Sequence, residues 1–224
     1  MESGKGNCFR KDILLFLCFL FVFTPIRAQE DIFRYPVTQQ TRSTFDAVSA
    51  NLAERPFIKG NFIQEKYLSR FNRSLISSGN FLIAPEQGIV WETLLPFPST
   101  MVMGRDFLLQ SRPDGRMSVI NAQGNETFIQ MADVLSSVFS GQSKKLLENF
   151  EVYFSGNVSD WNMGLLPLDS ILISFFTRIT MSGDNVMRSI RLFEPNGDTI
   201  TYSLSNHNYP ARLNDHEEAF FSIP

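Results

Sequence analysis

The side chains able to do chemistry are few, and their spacing does not assemble a reactive site. The two histidines, His207 and His216, lie in polar stretches near the end of the chain. Neither has a partner at metal-ligand spacing, so both are expected as ordinary surface histidines rather than ligands or bases. Serines are plentiful, yet no Gly-x-Ser-x-Gly elbow occurs and a hydrolase triad has no support. Asp114, Asp184 and Asp198 each stand beside Gly or Asn in turn sequences, where their carboxylates bond the local backbone. Asn72-Arg-Ser74, Asn125-Glu-Thr127 and Asn157-Val-Ser159 match the glycosylation pattern, which matters only in a eukaryotic secretory host. Neither a metal nor a cofactor is expected.

Both cysteines, Cys8 and Cys18, fall in the first 28 residues. Lys5, Arg10 and Lys11 form a basic start, Ile13–Phe23 is an unbroken apolar run, and Pro25-Ile26-Arg27-Ala28 offers a cleavage site. The run is shorter than the roughly 20 apolar residues a membrane span requires, and the pattern is that of a cleavable secretory signal. A mature chain without thiols excludes disulfides, thiolate metal sites and cysteine nucleophiles. Removing residues 1–28 leaves 196 residues with 16 basic and 21 acidic side chains, enough for one domain with a substantial core. This mildly acidic balance, with no basic run, makes the chain a poor candidate for binding nucleic acid or an anionic membrane surface, and no nucleic-acid partner is expected. The conspicuous bias is 22 Phe against 5 Tyr and 2 Trp. Phe brings apolar area without a polar tip, which suits a thick core or an apolar cavity.

The elements follow from periodicity. Residues 29–42 read as a flexible lead-in, and the folded domain is expected over 43–224. A helix is expected from Ser43 or Thr44 to Glu54, with Phe45, Val48 and Leu52 on one face and Pro56 as its stop. Strands are expected at 60–68, 75–83, 88–93, 100–103, 107–111 and 117–121, punctuated by Pro- and Gly-bearing turns. Phe128–Phe139 switches to helical period and ends at Gly141, and Ser143 caps a shorter helix to Leu147. Strands resume at 151–156, 161–165, 178–181, 186–194 and 199–205. Pro167–Phe176 fits either a helix capped by Asp169 or a buried strand. The pattern is α+β: a curled antiparallel sheet with inserted helices, able to enclose a cavity.

Phe62-Ile-Gln64-Glu-Lys66, then Ser77-Ser78-Gly79-Asn-Phe81, then Gly88-Ile-Val-Trp91-Glu resembles the N-terminal half of the LolA-type lipoprotein carriers, in their divergent branch. The likeness continues through Leu135–Gly141, Trp161-Asn-Met-Gly-Leu-Leu-Pro167 and Asn196-Gly197-Asp198-Thr199. The resemblance implies a periplasmic, unclosed β-barrel with helices as a lid over an apolar cavity. It also implies a monomeric, non-enzymatic carrier that takes acylated lipoprotein or lipid from an inner-membrane donor complex to an outer-membrane acceptor. The lid-latching Arg of that family has no counterpart in Ala84-Pro85-Glu86-Gln87. On this reading the lipid-binding wall is Phe62, Phe81, Ile83, Trp91, Met101, Met103, Phe107 and Leu109, and the lid is Met131, Leu135, Val138 and Phe139. The alternative is a periplasmic interaction module that pairs through strands or an apolar patch without bound lipid. A secreted hydrolase is disfavoured by the missing motifs.

Overall fold

The computed structural model describes residues 31–121 and 125–222, so residues 1–28 and their expected signal lie outside it. Eleven strands form one sheet in which every pairing is antiparallel. They are β1 (Ile58–Leu68), β2 (Arg73–Ala84), β3 (Gly88–Leu95), β4 (Ser99–Gly104), β5 (Phe107–Ser111) and β6 (Met117–Asn121) in the first half. The second half supplies β7 (Phe150–Asn157), β8 (Asp160–Pro167), β9 (Arg178–Gly183), β10 (Met187–Phe193) and β11 (Thr199–Asn208). The spatial order is β6-β5-β4-β3-β2-β1-β11-β10-β9-β8-β7.

Each half is a meander of consecutively paired strands, joined by short turns except between β8 and β9, where residues 168–177 intervene. The halves join where β1 pairs with β11. This join leaves β6 and β7 as the two edges, and the sheet curls without closing. Between those edges run α2 (Glu126–Ser140) and α3 (Ser143–Asn149). A chain that must pass from one edge to the other is thereby carried across the concave face. The helix preceding β1, α1 (Gln39–Ala53), packs there against α2, α3 and β7.

Helix α1 begins four residues before the expected Ser43. Thr38 and Thr41 cap it reciprocally, the Thr41 N–H donating to Thr38 Oγ1 and the Thr38 N–H to Thr41 Oγ1, which satisfies amide groups otherwise left unpaired. The lead-in is also tied down from Asp31 onward. Val37 N–H donates to the Val152 carbonyl at 3.0 Å, Phe154 N–H donates to the Tyr35 carbonyl at 2.8 Å, and Ile32 is buried. Backbone pairing to the open edge of β7 therefore orders a segment whose side chains alone suggest disorder. The ambiguous 167–176 stretch divides: Pro167 closes β8, and Asp169 caps the short α4 (Ser170–Phe175) by accepting from Ile171 N–H at 2.7 Å. A final short helix, α5 (Asp215–Ala219), follows β11.

The core has two parts on opposite faces. The large one fills the concave side and draws Phe45, Val48 and Leu52 from α1, Val134 and Val138 from α2, and buried residues from both halves of the sheet. The smaller one lies on the convex side, where Leu213, Phe220 and Phe221 cover Leu82, Val90, Val102 and Leu109.

Candidate functional site

The concave face is organised around Trp91. Its ring lies 4.4 Å from that of Phe62, 4.8 Å from Tyr202, and 5.9 Å from both Phe81 and Phe139. Strand pairing sets this up. Phe81 is the direct cross-strand partner of Trp91, while Phe62 stands one strand further on, opposite Gly79. Gly79 and Gly60 make the packing possible. Two aromatics of the β1–β2 ladder face glycines, Phe81 opposite Gly60 and Phe62 opposite Gly79. A Cβ at Gly60 would stand 2.7 Å from the Phe81 ring, and one at Gly79 would stand 1.8 Å from the Glu92 carbonyl oxygen. Trp91 and Phe62 thus meet across a position with no side chain.

Phe62, Phe81, Ile83, Trp91 and Met103 come together as one cluster, and Leu135, Val138 and Phe139 of α2 pack on it. Met101 shares their face, since it pairs with Trp91, but is 40% exposed. Phe107 and Leu109 depart from the expected wall: both belong to the convex cluster. The register explains it. Met101 pairs with Gln110 and Met103 with Leu108, so the concave face of β5 carries Leu108 and Gln110. Leu108 accordingly packs on the concave cluster. The Met131 side chain lies outside the described residues. Tyr202 and Leu204 on β11, and Phe45, Val48 and Leu52 on α1, also line this interior. Alternation in β11 and the helical spacing of α1 were visible, but not which face each meets.

Among the described residues, apolar side chains pack this interior closely. At its end, beside Leu52, Ile58, Phe139 and His207, the void is about 20 Å³, room for about one water. Ligand pockets of ordinary size run to about 300–1,000 Å³, so a chain of many methylenes fits at this end only if the packing around Phe139 opens. The attachment of α2 suits that motion. Among the described residues it meets β2 and β3 through apolar packing, and the turn between them through one long hydrogen bond, from Ser136 Oγ to the Pro85 carbonyl at 3.4 Å.

The polar groups here are sparse and held neutral. Burial pushes the Tyr202 phenol up to about 12. His207 is half-buried rather than superficial, its ring 5.8 Å from that of Phe81 and 6.4 Å from that of Tyr209. Burial lowers its pKa. His216, by contrast, is exposed on α5. The indole N–H of Trp91 and the hydroxyl of Ser49 are buried without a hydrogen-bond partner among the described residues. No group of three or more His, Cys, Asp or Glu side chains among the described residues could hold a metal ion. Asp198 has a structural task, accepting the Ser69 N–H at 2.8 Å and the Asn196 amide at 3.1 Å, which ties the β10–β11 turn to the end of β1. What this arrangement can offer is an apolar enclosure.

No curated protein matches the chain. Among solved structures it is similar to a DUF1329 family protein from Desulfovibrio piger, at 9% identity and a TM-score of 0.46, over 83% of this chain and 98% of that one. A LolA superfamily protein from Nitrosomonas europaea is similar at 8% identity and a TM-score of 0.46, over 82% and 97% of the two chains. LprF from Mycobacterium bovis follows at 9% identity and a TM-score of 0.40, over 81% and 98%. No helix of the described residues is long and apolar enough to cross a membrane. Family membership rests on the sequence itself: residues 56–220 match the model of the outer membrane lipoprotein carrier protein LolA, and the chain belongs to that family.

Proposed function

We propose that this protein is a non-enzymatic periplasmic carrier that shelters acyl chains of lipoproteins, or another lipid, between the concave face of its sheet and α2. The signal at residues 1–28 would deliver it, and cargo would pass from an inner-membrane donor toward an outer-membrane acceptor. The observation that carries this reading is the continuous apolar packing of Phe62, Phe81, Trp91 and Met103 against Leu135, Val138 and Phe139, in a chain of the carrier family. A chain of about 15 methylenes left in water costs on the order of 12 kcal/mol at about 0.8 kcal/mol each. A soluble carrier therefore needs apolar surface and a movable cover, and no reacting group. Met101, Leu108 and Ile120 share the concave face toward the β6 edge. Of these, Met101 and Ile120 are exposed, apolar surface that supports an entrance on the β6 side of that face.

Native extraction followed by mass spectrometry tests the proposal, together with displacement of a fluorescent fatty acid by palmitate. Co-purified acyl lipid and saturable displacement are expected. Leu135→Glu, which puts a charge on the covering face of α2, is expected to weaken fatty-acid binding at least about tenfold while far-UV circular dichroism stays that of the wild type. Delipidated protein that binds no acyl chain would remove the carrier reading. It would favour the interaction module, for which β6, an edge strand with all five residues exposed, offers a pairing surface.

A further inference from the structure

The convex face carries a second concavity, of about 330 Å³, whose floor is a row of amides and whose wall is α5. From β11 across β1 and β2 to β3 the row runs Asn206, Asn61, Asn80 and Glu92. Asn206 Nδ2 donates to Asn61 Oδ1 at 2.8 Å, Asn61 Nδ2 to Asn80 Oδ1 at 2.7 Å, and Asn80 Nδ2 to Glu92 Oε2 at 3.4 Å. These positions face away from the acyl interior, since Asn61 and Asn80 alternate with Phe62 and Phe81 along their strands. The row depends on a local distortion. Asn206 is held in the left-handed region at φ 52°, where the β1–β11 register slips. Such a bulge re-aims a side chain. The opposite wall is fixed by an ion pair between Lys59 and Glu217 and by Phe220, which packs against Leu82 and Val90.

We infer that this groove binds a neutral sugar, either free or as the end of a glycan. An asparagine amide has two donor hydrogens and two acceptor lone pairs, and each amide in the row gives one of its two hydrogens to its neighbour. The remaining hydrogens and lone pairs, with one Glu92 oxygen besides, are the groups of this lining that a ligand's hydroxyls can pair with. Phe220 and the neighbouring aliphatic groups offer the apolar surface that the C–H face of a pyranose requires. Charge argues against an anion. Lys59 and Glu217 neutralise each other, which leaves Glu92 as the net charge of the lining. A peptide added as a strand is disfavoured too, because β11, β1, β2 and β3 are interior strands whose backbones already pair on both sides. The volume sits at the lower end of the range of about 300–1,000 Å³ for ligand pockets, which suits a small polyol better than a long chain.

Saturation-transfer NMR on the full chain tests this, with glucose, maltose, N-acetylglucosamine and diacetylchitobiose as probes and N-acetyl-alanyl-alanine amide as the peptide control. Transfer to at least one sugar is expected. Asn80→Leu, which breaks the row at its centre, should weaken it at least about tenfold, and Leu135→Glu on the opposite face should leave it unchanged. Asn208→Leu on the exposed rim is the second variant, expected to weaken binding should Asn80→Leu alter the circular dichroism. Absence of transfer to every sugar, transfer to the peptide alone, or undiminished transfer in a folded Asn80→Leu protein would overturn the assignment. Because the groove and the acyl interior lie on opposite faces, either reading can fail without the other.

Discussion

Replacing Trp91 separates an aromatic that merely fills the concave face from one that organises it. Truncating a buried Phe or Trp to Ala costs about 3–5 kcal/mol through lost transfer energy and residual cavity. Trp91 touches four aromatic rings and is 7% exposed, which argues for the full range. Its indole N–H, however, is buried without a partner among the described residues, and removing such a group returns about 1 kcal/mol or more. The expected loss for Trp91→Ala is therefore about 2–4 kcal/mol. Trp91→Phe removes the same N–H but keeps a ring among Phe62, Phe81 and Tyr202, so it should cost under about 1.5 kcal/mol. Urea denaturation followed by far-UV circular dichroism reads both. The other tryptophan, Trp161, is fully buried in the second half, its Nε1 donating to the Asp184 carbonyl at 2.6 Å. Palmitate should therefore shift the emission of wild-type protein and of Trp161→Phe, but not of Trp91→Phe. An Ala variant within about 1 kcal/mol of wild type, or a Phe variant as costly as Ala, would refute the packing argument. A palmitate response that survives in Trp91→Phe would move the acyl site away from this cluster.

Gly79→Ala is expected to destabilise the fold by about 1–3 kcal/mol or more, because the new Cβ meets the β3 backbone at Glu92. Gly115→Ala, at φ 79° in open space, should cost only about 1 kcal/mol of backbone strain. Chemical denaturation of the pair gives the difference, and equal costs would count against the close approach of β2 and β3. Stability should also fall as pH drops below about 6.5, the ordinary histidine value, because of His207. Burial, and then the charge of Arg188, lower its pKa, and the charge of Arg55 also disfavours the imidazolium. The hydrogen bond at the Met187 backbone and the charge of Asp184 oppose them. The folded state thus binds the proton less readily than the unfolded chain, and stability is complete above the unfolded pKa and lost as pH falls toward the folded one. His207→Phe should flatten that slope in urea midpoints measured from pH 7.5 down to about 5. An unchanged slope would assign it to other groups.

Much of the architecture was legible because it is written locally. Turn sequences such as Ser182-Gly183-Asp184-Asn185 and Pro195-Asn196-Gly197-Asp198 separate the strands, and Phe128 to Phe139 carries a helical stripe that forms α2. Parity across a hairpin is not written locally. Alternation tells that Met101 and Met103 share a face, and that Phe107 and Leu109 do. Whether the two pairs share one depends on the register through the β4–β5 turn, which sets Met103 opposite Leu108. Backbone order was equally hidden, since residues 35–37 are held by hydrogen bonds to β7 rather than by their side chains. The five-residue α5 is too short and polar to show a period, yet its neighbour Phe220 closes the convex cluster.

The pairing of β1 with β11 is the least local of these features, and the rest of the concave site follows from it. It makes β6 and β7 the edges, so the segment joining them must cross the curled face, and α2 is the part that lies over Trp91 through Phe139. A permanent cavity there would be costly. At about 24 cal/mol per Å³, an empty space of about 300 Å³ would consume about 7 kcal/mol, comparable with the entire stability of a domain, about 5–15 kcal/mol. An apolar carrier without cargo therefore has to fill its own interior. Filling it with side chains from a helix bound mainly by apolar contacts lets an acyl chain replace one apolar surface with another. On the proposed function, the small void beside Phe139 is then the expected state of the unloaded protein.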